Sequence, residues 1–73
     1  MGYKFTAKKQ LSTWRYEQNG TRKYIEAGET FVQESNNLNG YNLCKAVETA
    51  KGCKMKSSIS SSPSENDWII EKF

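Results

Sequence analysis

Trp14-Arg15-Tyr16-Glu17-Gln18-Asn19-Gly20-Thr21-Arg22-Lys23-Tyr24-Ile25-Glu26-Ala27 is the stretch whose reading decides the fold. Asn19-Gly20 between aromatic and β-branched residues signals a two-residue β-hairpin, because both residues tolerate the positive φ of a type I′ turn. The turn sets the register. Tyr16 is expected opposite Lys23, Glu17 opposite Arg22, Arg15 opposite Tyr24 and Trp14 opposite Ile25. Trp14, Tyr16, Ile25 and Ala27 then share an apolar face, and Thr13, Arg15, Glu17, Arg22, Tyr24 and Glu26 share a polar one.

Upstream, Tyr3-Lys4-Phe5-Thr6-Ala7-Lys8 alternates as a strand, with Tyr3, Phe5 and Ala7 inward. Lys9-Gln10-Leu11-Ser12 reads as a connection or as a bulged continuation toward Trp14. Downstream, Ala27-Gly28-Glu29-Thr30 is a tight turn into a short strand, Phe31-Val32-Gln33-Glu34. Ser35 to Gly40 is dense in turn formers. Leu43, Ala46, Val47 and Ala50 then fall at helical spacing on Tyr41 to Lys51, with Asn39 as N-cap and Gly52 as the left-handed C-terminal residue. Cys53 to Ile59 alternates again, with Cys53, Met55 and Ile59 inward, and the serine-rich run Ser57 to Ser64 reads as a loop. Trp68 to Phe73 has the composition of a half-buried strand. Ser62-Pro63-Ser64-Glu65 competes as a helix start.

The layout is a β-meander, one helix and a second hairpin. The expected fold is α+β: one antiparallel sheet of four or five strands, with one α-helix packed on a face, in a single domain over residues 1–73. The 73 residues leave room for one modest core. The hydrophobic share is only 36%, but aromatics at 12% bury a large area per residue. The expected core is Phe5, Trp14, Tyr16, Ile25, Phe31, Leu43, Val47, Met55, Ile59 and Trp68 or Ile69. Dimerisation would be a simple source of added stability for so small a domain.

Catalysis is poorly supported, because the chain has no His. Cys44 would need Lys45 or Lys51 to activate it, and a helical Cys beside an apolar stripe is far more often core filling. Glu26, Glu29 and Glu34 are scattered over strands and turns. The glycines at 20, 28, 40 and 52 are accounted for by turns and caps, so no phosphate loop is read. Two Cys without His do not build a closed zinc site in one chain, and no cofactor is implied. Cys44 and Cys53 lie roughly two helical turns apart, ~13 Å, too far for a disulfide. Two reduced thiols without a signal peptide or an apolar span point to the cytoplasm and to no membrane partner. A loose myristoylation pattern at Met1-Gly2 and a sequon at Asn19-Gly20-Thr21 are better explained by strand and turn.

Binding remains. Net charge is +3, and residues 1–24 carry +5 of it against −3 over 25–50 and +1 over 51–73. The basic candidates for nucleic acid are Lys4, Lys8 and Lys9 on or beside the first strand, Arg15, Arg22 and Lys23 on the hairpin, and Lys54 and Lys56 after the helix. Tyr24 is placed to stack on a base. The register gives Arg22 a partner in Glu17 and Arg15 one in Tyr24, which weakens that reading. The leading expectation is therefore a non-catalytic module that binds a protein, or a second copy of itself, through a sheet edge or the hairpin face. Nucleic-acid binding is the alternative. In layout the chain resembles the accessory and inhibitor proteins carried by phages and mobile elements, without a diagnostic motif.

Overall fold

The computed structural model describes residues 2–56 and 62–73. Among these residues, six strands and one helix follow in the order β1 Tyr3–Ala7, β2 Leu11–Gln18, β3 Thr21–Ile25, β4 Thr30–Gln33, α1 Gly40–Lys51, β5 Lys54–Met55 and β6 Trp68–Lys72. The class is α+β. The strands form two antiparallel sheets of three, β4-β1-β6 and β3-β2-β5, in place of the single sheet expected. The second hairpin is also corrected. β5 pairs with β2 through Tyr16↔Met55 and Glu17↔Lys54, whereas β6 pairs with β1 through Tyr3↔Lys72 to Ala7↔Trp68. Both pairings join strands far apart in sequence, and alternation alone does not say which distant strand a segment selects.

The hairpin forms as its turn demands. Asn19 has φ 56° and Gly20 φ 79°, the left-handed pair of a type I′ turn. Arg15↔Tyr24, Tyr16↔Lys23 and Glu17↔Arg22 are in register. Beyond Arg15 the register shifts, and Ile25 lies opposite Leu11 instead of Trp14. This bulge lets Leu11, Trp14 and Tyr16 all be buried on one strand, which a strict period of two forbids for Leu11 and Trp14. Ala27 is exposed, because the chain leaves the sheet after Ile25 and turns at Gly28.

Trp68 sits where the two sheets meet. Its ring stands edge-on to Phe5 at 6.0 Å, Phe31 at 6.2 Å and Trp14 at 5.7 Å, so aromatic residues of both sheets converge on it. Ala7, Leu11, Tyr16, Ile25, Leu43 and Val47 complete the buried core. Met55 is only partly buried and Ile69 is exposed, while the expected core residue Ile59 lies outside the described residues.

Helix α1 packs against β4 of one sheet and β5 of the other, and buries Leu43 and Val47. The side chain of Asn39 accepts the Asn42 N–H at 2.8 Å, and Gly52 ends the helix at φ 67°. Ala50, on the apolar stripe by spacing, is exposed. Ahead of β6, the Ser64 carbonyl accepts both the Asp67 and Trp68 N–H groups, so the helix signal there amounts to one turn before the strand begins. No helix among the described residues is long and apolar enough to cross a membrane.

Candidate binding surfaces

Ladder alternation in the first sheet fixes which edge is open. Gly2 and Phe73 exchange backbone hydrogen bonds and Lys8 donates to the Asp67 carbonyl, so even-numbered residues of β1 bond toward β6. Ala7 donates to the Glu29 carbonyl, which assigns the odd-numbered ones to β4. With Phe5↔Phe31 and Tyr3↔Gln33 in register, the N–H and C=O groups of Thr30 and Val32 point away from β1. Among the described residues, β4 has one strand neighbour.

Beside that edge runs an open groove of about 510 Å³. One wall is Thr30 to Ser35, and the other is the face of α1 carrying Asn42, Lys45, Ala46, Thr49 and Ala50. Small side chains at 46, 49 and 50 keep the helix surface low there. Gln33 anchors the floor. It is buried, and its Nε2 donates to the carbonyls of Ser35 at 3.0 Å and Asn37 at 2.6 Å. Both partners are acceptors, so the amide orientation is fixed and Oε1 is the atom left without a partner among the described residues. Asn42 ties the same loop to the helix through the Asn37 carbonyl at 2.9 Å and the Ser35 hydroxyl at 3.3 Å. On the paired side of β4, the Gly2 backbone lies against that of Gln33 and Glu34. A Cβ there would overlap the Gln33 carbonyl oxygen, so only glycine permits this approach of backbone to backbone.

Lys51, at the end of α1, pairs with Glu29 in the turn before β4, and its ammonium lies 5.6 Å from the Tyr16 ring and 5.8 Å from that of Phe31. Burial acts to raise the Glu29 carboxyl, but Lys51 and the Glu26 N–H outweigh it and hold it below its ordinary value. Glu29 in turn raises the Lys51 ammonium against the effect of burial. The pair fastens one end of the groove.

The nine basic and aromatic candidates divide between the sheets. Arg15, Glu17, Arg22, Tyr24, Lys54 and Lys56 share the outer face of β3-β2-β5, as the registers Arg15↔Tyr24, Glu17↔Arg22 and Glu17↔Lys54 require. The Lys56 N–H donates to the Arg15 carbonyl and brings Lys56 into the same row. Glu17 takes Arg22 on one oxygen and Lys56 on the other, each at 3.4 Å. Lys23 pairs with Tyr16 on the other face. Lys4 is on the outer face of the first sheet, between Val32 and Glu71. Lys8 donates to the Glu65 carbonyl at 2.6 Å, and Lys9 pairs with Asp67 at 3.4 Å, so both pin the end of β1 to the turn before β6.

The two lysines expected to activate Cys44 are each engaged with another side chain. Lys51 is committed to Glu29, and Lys45 lies over the Tyr41 ring at 5.4 Å. Burial, then the Glu48 carboxylate, push the Cys53 thiol up despite Lys51. Among the described residues, no group of three or more His, Cys, Asp or Glu is placed to hold a metal ion. Sequence reasoning missed the groove, Gln33 and Gly2. The one available signal was Gln33 itself, a polar residue at an inward position of a strand. No family model matches the chain, and comparison with curated proteins and with solved structures returns no match.

Proposed function

We propose that this protein is a non-catalytic protein-binding module of accessory or inhibitor type that takes an extended segment of a partner along the open edge of β4. The observation that carries the reading is the groove of about 510 Å³ between that edge and α1. Its volume is within the ~300–1,000 Å³ of ordinary ligand clefts. An added strand lies about 4.8 Å from its neighbour and exchanges hydrogen bonds with every second residue. Thr30 and Val32 present those groups. Alternate side chains of the guest would face the low surface of Ala46, Thr49 and Ala50. The edge of β3, by contrast, is lined by the exposed residues Arg22, Lys23 and Tyr24, a pattern that protects an edge from pairing. The half-buried thiols Cys44 and Cys53 suit a reducing compartment, and we place the activity in the cytoplasm.

The test is a peptide-display selection against the immobilised protein, followed by amide mapping of the winners. Selected peptides should protect the Thr30 and Val32 amides from hydrogen exchange. Val32→Pro removes an outward N–H that no ladder bond uses, so it should abolish binding with little loss of stability, whereas Val32→Ala should retain it. Peptides that bind equally well to Val32→Pro, or that map to the hairpin face, would overturn the proposal. Pairing of two β4 edges in a homodimer, detected by sedimentation and lost in Val32→Pro, would reassign the edge to self-association.

A further inference from the structure

We propose that the outer face of β3-β2-β5 is a second binding surface, separate from the β4 groove, and that it takes single-stranded nucleic acid. Four cations, Arg15, Arg22, Lys54 and Lys56, surround one anion, Glu17, on three adjacent strands, and these five side chains sum to +3. Neighbouring strands are about 4.8 Å apart and same-face residues about 7 Å apart along a strand, so all four cations lie within reach of a few successive phosphates. Arg22 and Lys56 keep 66% and 50% of their side-chain surface exposed despite pairing with Glu17. Ion pairs of that exposure are weak and yield readily to a stronger anion. Tyr24, also exposed, stands opposite Arg15 and offers a flat ring beside the guanidinium.

Charge alone fits any polyanion. The ring decides the occupant: every base has a face to stack on tyrosine, and a sheet three strands wide accommodates a splayed single strand. Glu17 then has a defined role. In the free protein it holds Arg22 and Lys56 in place and lowers the charge of the face, and the ligand backbone takes over both cations on binding.

The experiment is fluorescence anisotropy of the purified full chain with labelled oligothymidylate and oligouridylate. Four neutralised phosphates imply a slope of about −3 in log affinity against log salt, a loss of roughly 50-fold between about 50 and 200 mM. Lys54→Gln with Lys56→Gln should cut that slope by roughly half. Tyr24→Leu should weaken binding about 5- to 150-fold, with Tyr24→Phe restoring it. Glu17→Gln should tighten it. Variants at Lys4, Lys8 and Lys9 on the other sheet should leave it unchanged, as should Val32→Pro, so failure here is distinguishable from failure of the groove reading. Absence of saturable binding at low salt overturns the proposal. So does equal affinity for polyglutamate with no effect of Tyr24→Leu, which would make the face a site for acidic protein segments. Preference for duplex with no effect of Tyr24→Leu would overturn it as well.

Discussion

The contact between Lys51 and Glu29 fastens the end of α1 to the turn before β4, and its energetic worth follows from its burial. The two side chains keep 28% and 21% of their surface exposed. Fully exposed pairs contribute about 0.2–1 kcal/mol, and breaking a fully buried one costs about 3–5 kcal/mol. A pair in between should be worth about 1–2 kcal/mol. The perturbation is a double-mutant cycle of Glu29→Gln and Lys51→Met. Glutamine keeps an oxygen to accept the Glu26 N–H, a bond of 2.7 Å, and methionine keeps an apolar stem beside Tyr16 and Phe31. Each single variant should lower Tm by roughly 4–16 °C, given about 4–8 °C per kcal/mol in a domain of this size. Urea unfolding gives the free energies, and the coupling should come out at about 1–2 kcal/mol. The pH dependence has a definite sign. Glu29 is held below its ordinary 4.5, so its contribution is complete above that value and is lost as pH falls through the folded-state pKa. Lys51 is held above its ordinary 10.5, so its contribution is complete below that value and is lost as pH rises through the folded-state pKa. Between those limits the pair is fully formed, and the stability gap between wild type and Glu29→Gln should be flat there and narrow on the acid side. A coupling below about 0.3 kcal/mol, within the error of additivity, would refute the reasoning.

Three further outcomes are expected. Asn39→Ala removes the acceptor for the Asn42 N–H and should cost about 1 kcal/mol in urea unfolding, with Asn39→Ser or Asn39→Asp close to wild type. Gly2→Ala forces the chain away from the Gln33 carbonyl, so it should lose about 1–3 kcal/mol and show its largest amide shift changes at Gln33 and Glu34. Trp68→Ala removes the ring on which Phe5, Trp14 and Phe31 converge. At about 3–5 kcal/mol it should leave the domain largely unfolded at 37 °C and abolish the near-UV circular dichroism of the aromatic cluster, whereas Tyr41→Ala, at an exposed helix position, should change neither.

What could be read from the chain was what depends on near neighbours. The turn at Asn19-Gly20 dictates the pairing of residues 15 to 24 because the partners are only a few residues apart, and the helix is bounded by Asn39 and Gly52 for the same reason. The bulge between Leu11 and Arg15 was harder, since it is the need to bury Leu11 as well as Trp14 that displaces the register. The division into two sheets was not legible. β5 and β6 both alternate, and only the placement of Trp68 among residues of both sheets selects β1 as the partner of β6. The candidate residues were legible as types but not as a surface. Pairing of β5 with β2 puts Lys54 and Lys56 beside Arg15 and Arg22, and the turn at residues 64–67 draws Lys8 and Lys9 elsewhere. The groove depends on where α1 lies against β4, which no local pattern encodes.

The alternating bonds of β1 also set an order of assembly. The strand is made early, yet its two neighbours are β4, about 28 residues later, and β6, some 66 residues later. Such long-range closures are slow, and during synthesis β1 waits until β6 has emerged. The β2-β3 hairpin has no such delay and is the natural place for structure to begin. Folding should therefore start in the second sheet and finish in the first. Truncation ahead of Trp68 should leave a chain with a formed hairpin and an unclosed first sheet, whose exposed Phe5 and Phe31 would drive aggregation.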